Sequence, residues 1–293
     1  MSQPPVPPPG PAGGRPGPHG GPPGGPGWPP GPAGPPSGPP GGDPAWPGGG
    51  RRDGSRAAEA FPVPFSAADG ALLVLWSLVA QFLVVLPAMF LGIVDGNGGA
   101  TMLLLVVVAQ GVGLAGALAY LAARGRLSWR LLGPVRPSGI HWAVGLVVGI
   151  GGFIGVNVII AVVLQFIGPV DPPEQQLLQD LTAGGVSTVL AIVAAVVMAP
   201  LVEEVVFRGV LFQGLKRRVG LWPAALVSGL IFAAVHVEVT QPIYSAGLLA
   251  LGVALAWSMH RFGSLIVPIV GHAAFNAVSV GLTLLGGRFM DTI

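Results

Sequence analysis

From Ala67 onward the chain runs as long apolar stretches separated by short polar or glycine-containing breaks. About 20 helical residues cross a hydrocarbon core about 30 Å thick, and each stretch approaches or exceeds that length. Set against the breakers, the pattern predicts about seven spans, at residues 70–94, 100–123, 141–167, 187–207, 222–237, 243–260 and 264–285. An eighth span or a re-entrant segment near the C-terminus is the alternative. The fold class expected is therefore all-α, a polytopic membrane helix bundle. The fourth stretch does not end cleanly. In FRGVLFQGLKRR, Phe207, Val210, Leu211 and Leu215 alternate with Arg208, Gln213 and a basic triplet, the pattern of a helix running on through an interface. Trp222-Pro223 comes next as an interfacial anchor and the first turn of the fifth span.

The region before these spans has a different composition. The chain holds 48 Gly and 32 Pro, and a large share falls ahead of the first span, in runs such as PPVPPPGPAGGRPGPHGGPPGG. Such a tract has almost nothing to bury and lacks a strict Gly-X-Y period, so residues 1–66 read as a disordered, partly polyproline II tail. Collagen is excluded. The first apolar stretch starts behind this tail, the wrong place for a cleaved secretory signal, so the tail is expected to stay attached. It fits a flexible tether or a ligand for proline-recognising domains. The domain organisation expected is a tail over 1–66 and a transmembrane domain over 67–293.

Charge sets the orientation. Arg51, Arg52 and Arg56 precede the first span, Arg124, Arg126, Arg130 and Arg136 follow the second, Lys216, Arg217 and Arg218 follow the fourth, and Arg261 follows the sixth. The alternate loops carry Asp95, then Asp171, Glu174 and Asp180, then Glu238, with no Lys or Arg. The positive-inside rule then puts the N-terminus in the cytoplasm of a multi-pass cell-membrane protein. The same placement explains the pI of about 9.7 without a nucleic-acid partner. Cysteine is absent, which excludes disulfides, thiolate metal ligands and a cysteine nucleophile.

Only 9% of residues are charged, so ionisable groups inside the spans stand out. Each costs roughly 2.5–3.5 kcal/mol on insertion scales and calls for a reason. They are Glu203 and Glu204 in PLVEEVVFRG, His236 in FAAVHVEV, and His272, with Asn276, in GHAAFNAV. Helix rise counted from the basic loops puts Glu203 and His236 about 21 Å along their helices, His272 about 16 Å and Asn276 about 22 Å. Three helices thus bring a carboxylate, two imidazoles and an amide to similar depth. Glu204 and Arg208 are i, i+4 and can pair, offsetting the burial of both, while Glu203 is turned about 100° away. Glu203 is the candidate general base and Glu204 its support. His272 and Asn276 share a face, offering an imidazole and an amide donor to one space, and Phe232, one turn before His236, would wall it.

Such a set activates water against a carbonyl. Two His and one Glu also match a zinc ligand set, here drawn from separate helices, with no HExxH in the chain. A serine protease is disfavoured, since LVSGL at 226–230 lacks the first glycine of GxSG.

The segments EEVVFR (203–208), FAAVH (232–236) and HAAFN (272–276) match the patterns EExxxR, FxxxH and HxxxN in that order. On these the chain resembles the CAAX-protease and bacteriocin-processing (CPBP, or Abi) intramembrane proteases, relatives of the type II CAAX prenyl endopeptidase, over roughly residues 185–285. The resemblance implies an all-helical intramembrane peptidase. Glu203 and His236 would activate water, His272 and Asn276 would hold the oxyanion or a metal, and Glu204 and Arg208 would support them. It implies either one Zn2+, with Glu203, His236 and His272 as ligands, or a metal-free glutamate mechanism. The substrate would be a membrane-associated protein or peptide. Lys216 is the single lysine, and the Pro/Gly/Arg-rich usage points to a high-GC bacterium, where prenylated substrates are not expected.

Two other classes compete. A proton-coupled transporter would also place Glu and His at mid-membrane, although no internal repeat or pair of broken helices is visible. A non-catalytic scaffold or immunity-type binding protein would keep the same fold. Gln81, Gln110, Asn157 and Gln165 read as interhelical hydrogen-bonding or cavity-lining residues.

Overall fold

The computed structural model describes residues 64–94, 99–168, 184–236 and 242–290. Most of the Pro/Gly tail and the acidic loops fall outside these. The described residues form seven long helices and no strand: α1 Ala67–Phe90, α2 Ala100–Ala123, α3 Gly139–Ile167, α4 Gly185–Val219, α5 Leu221–Val235, α6 Pro242–Phe262 and α7 Ile266–Met290. The all-helical membrane bundle is as expected. Five of the helices, α1 to α4 and α7, are long and apolar enough to cross a membrane.

Helix α6 covers the span predicted at 243–260, whereas α5 departs from the expectation of a full span. Helix α5 has 15 residues and rises about 22 Å, short of a 30 Å core, because it stops at His236, which caps its C-terminus. Conversely, α4 overshoots. Its 35 residues extend about 52 Å, so the segment predicted to run on past the fourth span is one helix with it.

Helix α4 occupies the middle of the bundle and packs against α1, α2, α5, α6 and α7. The reason lies in its C-terminal half, where every residue from Val205 to Phe212 is buried. Val206, Val210 and Phe212 meet Leu73 of α1, Leu121 of α2, Phe232 of α5 and Leu265 in the main core cluster. The outer helices instead present apolar residues such as Phe82, Phe90, Trp142 and Phe166 outward, as lipid-facing surfaces do.

Close helix contacts rest on small residues. Helix α3 lies against α7 at Gly149, where a Cβ would collide with the carbonyl oxygen of Gly271. Helices α5 and α6 meet at Gly229 and Gly252, where a Cβ on Gly252 would lie 2.9 Å from Gly229 Cα.

The basic loops gather at one end. Asp69, in the first turn of α1, is buried and accepts from Ser66 N at 2.7 Å and Tyr120 Oη at 2.8 Å, and it pairs with Arg126 after α2. Arg217 donates to Phe65 O at 3.4 Å, and Lys216 Nζ lies 3.2 Å from His260 Nδ1. Backbone bonds from Val135 to Gly263 and from Leu265 to Leu132 tie the loop after α2 to the loop before α7. Asp69 and Tyr120 escape a search for mid-membrane charge because they sit near helix ends, and the signal that could have found Asp69 is the Ser66-x-x-Asp69 capping box.

Candidate active site

Helix α4 is not uniformly α-helical, and its irregularities flank the glutamates. A π-helical segment covers Val193–Met198, an α-helical piece Ala199–Glu204 comes next, and a second π-helical segment covers Val205–Phe212. Pro200 opens the middle piece, where its ring would clash with the carbonyl of residue 196 in a regular α-helix. Single-turn π segments recur at functional sites, and the acidic pair closes the piece between these two.

Glu204 and Arg208 are fully buried. Arg208 Nη1 donates to Glu204 Oε1 at 2.7 Å, and its Nη2 donates to Gly252 O at 3.1 Å, a carbonyl within reach because α5 and α6 approach at their glycines. The guanidinium carbon lies 4.6 Å from the centroid of the Phe232 ring, a cation–π contact on a desolvated charge. Glu204 Oε1 is also 2.9 Å from His272 Nδ1. A carboxylate accepts, so that ring nitrogen carries the proton and Nε2 of a neutral His272 is left as an acceptor.

His236 reaches the same state by another route. Its Nδ1 lies 2.8 Å from Phe232 O, a carbonyl that can only accept, so Nδ1 donates and Nε2 is free to face the site. Both Nε2 atoms face Glu203, His236 Nε2 at 3.4 Å from Oε1 and His272 Nε2 at 3.9 Å from Oε2. Phe232 packs against both imidazoles, with ring centroids 4.7 Å from His236 and 5.6 Å from His272. Each of these residues comes from a different part of the chain: the α4 pair, the end of α5 and the middle of α7.

Glu203 and His236 line a cavity of about 210 Å3, together with Phe207 of α4 and Ser77, Gln81 and Gln110 of α1 and α2. The sequence treats the two glutamines as glue or lining, and the cavity wall is where they stand. The side chains of Glu203 and His236 are 21% and 35% exposed, against 5% for His272, so the first two meet an incoming group and the third stands behind them.

Asn276 is placed differently from the expectation. Its Nδ2 donates to Ala195 O at 2.7 Å, in the first π segment of α4, and it does not line the cavity. The shared face with His272 holds along α7, but α4 passes close enough to take the amide donor. Asn157 also lies apart, exposed and bonded to Phe153 O of its own helix at 2.9 Å.

The donors expected to hold a metal have the right chemistry, since each imidazole has its Nδ1 anchored and its Nε2 turned to a carboxylate. Among the described residues no ready-formed group of three metal-ligating side chains is found, and the two Nε2 atoms lie 3.4 and 3.9 Å from the Glu203 oxygens. What the geometry offers is a carboxylate and two imidazole acceptors facing one another, a group suited to taking a proton from water.

Residues 185–278 match the family of type II CAAX prenyl endopeptidase Rce1-like proteins. Among curated proteins, an Escherichia coli protein described as an uncharacterized 24.3 kDa protein is 27% identical over 154 residues, 52% of this chain and 67% of that protein. YdiL of Bacillus subtilis (strain 168), named provisionally as a membrane peptidase, is 28% identical over 95 residues, 32% of this chain and 38% of its own length. No solved structure matches. The matched segment holds all three motifs and every residue of the site on α4, α5 and α7, so the comparison agrees with the resemblance read from the motifs: residues 185–278 are similar to the type II CAAX prenyl endopeptidase Rce1-like proteins.

Proposed function

We propose that this protein is an intramembrane endopeptidase that hydrolyses a peptide bond of a membrane-associated protein or peptide. One observation carries the reading: on the wall of a cavity, Glu203 is faced by the Nε2 atoms of two imidazoles whose Nδ1 protons are engaged elsewhere. A water bound there gives its proton to the Glu203–His236 pair as its oxygen attacks the scissile carbonyl, and the same pair returns the proton to the leaving amine. Glu204 carries no proton in this scheme. It neutralises Arg208 and orients His272, and Arg208 in turn is fixed by Gly252 O and Phe232. Ser77, Gln81 and Gln110 supply the polar groups that a peptide backbone entering an otherwise apolar cavity requires.

A second reading, in which Glu203, His236 and His272 hold one Zn2+ ion, draws on the anchored Nδ1 atoms of both imidazoles. Such an ion would polarise the carbonyl and acidify the water. Metal content of the purified protein beside His236→Ala and His272→Ala separates the two. Zinc near one per chain that is lost in both variants supports the second reading, and a metal-free active protein supports the first.

The positive-inside rule assigns the N-terminus and the basic loops to the cytoplasmic side of the cell membrane, and the contacts of Arg126, Lys216 and Arg217 at one end of the bundle support a shared side for those loops. The tail is assigned as a flexible tether or a ligand for proline-recognising domains. The deciding experiment compares the N-terminal peptides of membrane proteins from cells producing the wild type or Glu203→Gln at equal abundance. Neo-N-termini confined to the wild type are expected. Identical sets would overturn the peptidase in favour of a scaffold or immunity-type protein of this fold.

A further inference from the structure

We propose that Gln81 and Gln110 are substrate-positioning residues that hold an extended peptide segment by its backbone, so that the site selects a segment for its free peptide groups and not for a polar side chain. Both side chains line the cavity that Glu203 and His236 share. Gln110, in the middle of α2, has a buried Oε1 without a hydrogen-bond partner. Gln81, on α1, makes no hydrogen bond among the described residues. An unpaired amide in apolar helices is costly, since neither lipid nor an aliphatic neighbour can satisfy it. Other amides of the bundle are engaged: Asn276 donates to Ala195 O at 2.7 Å and Gln213 to Gly209 O at 2.9 Å.

The two glutamines are not scattered. Val74, Ser77 and Gln81 recur at steps of three and four residues, so a single face of α1 meets the cavity, and Gln110 brings α2 to the same space. Ser77 Oγ donates to Leu73 O at 2.9 Å, within its own helix, so its proton is already engaged. Leu78, Val202 and Val235 make much of the remaining wall apolar. The glutamine amides are therefore the uncommitted polar groups of α1 and α2 at the site.

Their chemistry says what satisfies them. A carboxamide carries an acceptor and two donors, the complement of a peptide group. The last torsion of a glutamine is broad and roughly two-fold, so a half-turn brings either the oxygen or the NH2 group to the cavity. An α-helical segment offers neither partner, because its N–H and C=O groups are paired with one another. An extended segment offers both, whatever its side chains, and apolar side chains on it suit the rest of the wall. The inference rests on the peptidase reading for its consequence, that the held segment presents its peptide bond to Glu203.

The test measures binding apart from cleavage. The probe is a fluorescein-labelled decapeptide of alternating Ala and Val, with a series in which one amide at a time becomes an ester, which removes the N–H and weakens the carbonyl as an acceptor. Anisotropy titrations in detergent use full-length Glu203→Gln protein, which keeps the peptide intact, alone and combined with Gln81→Met or Gln110→Met. Each Met substitution is expected to raise Kd about three- to tenfold, the range of one net hydrogen bond. At one ester position for each glutamine, the Met substitution should add no further loss. Thermal midpoints should stay level or rise, because an unpaired amide has been replaced by an apolar chain of similar length. Equal Kd with and without the glutamines, or no binding to the parent protein, would overturn the inference. Losses that add at every ester position would overturn the backbone contact, and a lowered midpoint would show that the amides hold the bundle and overturn it likewise. Mass spectrometry of the peptide with wild-type protein tests the peptidase reading separately: a peptide held through the glutamines yet left uncut supports these contacts and counts against that reading.

Discussion

Glu203 and Glu204 are neighbours in the chain, yet the surroundings of the two differ in kind. Around Glu204 the site is closed: a buried arginine, an imidazole N–H and a phenyl ring leave no room for a reactant, and the carboxylate is balanced by a full positive charge. Around Glu203 it is open to a cavity, and the partners are imidazole nitrogens. The difference shows how a bundle can hold two carboxylates in one turn and use them for separate purposes. One ion pair is buried deeply enough to fix three helices, which leaves the other carboxylate available for the role of base proposed for it. A buried pair of this kind is retained at a desolvation cost, and here it sets geometry more than it adds stability.

The contrast can be broken from either side. The largest effect expected is on turnover: Glu203→Gln should abolish cleavage, a loss of about 10²–10⁴-fold for removal of a general base, with the thermal midpoint nearly unchanged. Cleavage in membranes and a melting scan read both. Next comes Arg208→Ala, which leaves Glu204 buried without its charge partner and should cost about 3–5 kcal/mol, measured as lost stability in detergent. Activity would fall with the folded population. Glu204→Gln keeps an acceptor for Arg208 Nη1 and His272 Nδ1, so cleavage should weaken without disappearing. If Glu204→Gln and Glu203→Gln lose activity equally, the division between the two carboxylates is wrong. A smaller change is expected from Phe232→Leu, which removes the ring above Arg208 and between the imidazoles. The cation–π share of that loss is about 0.5–2 kcal/mol, seen in the melting midpoint. The smallest effect belongs to deletion of residues 1–60, which should leave cleavage at the wild-type rate, since every residue placed in the site lies on α1, α2, α4, α5, α6 or α7.

Much of this contrast can be read from residue order alone. The pairing of Glu204 with Arg208 follows from i, i+4 spacing, which places both on one face of a helix whatever surrounds it. The meeting of Glu203 with His236 is readable only as matched depth, because counting helix rise gives height and not azimuth. Azimuth is where Asn276 departs. Its spacing from His272 predicts a shared face, but whether that face sees a cavity or a neighbouring backbone depends on the carbonyl that Pro200 and the π segment leave free. Likewise the sequence marks Gln81 and Gln110 as polar residues in apolar helices, and only the packing of α1 and α2 against α4 puts them on the cavity that Glu203 lines.

The all-helical membrane class, the approximate place of seven helices, the long run of α4 past its span and the three motifs with their order are all set by the residues in their order. Those properties come from local quantities, namely hydropathy over about 20 residues and side-chain periodicity along one helix. Packing in three dimensions settles which nitrogen of each imidazole faces Glu203, that α5 stops at the site, and that Asn276 turns to Ala195. These depend on the rotation of each helix about its own axis and on backbone bonds that leave the α-helical register, which are fixed by contacts between segments far apart in the chain.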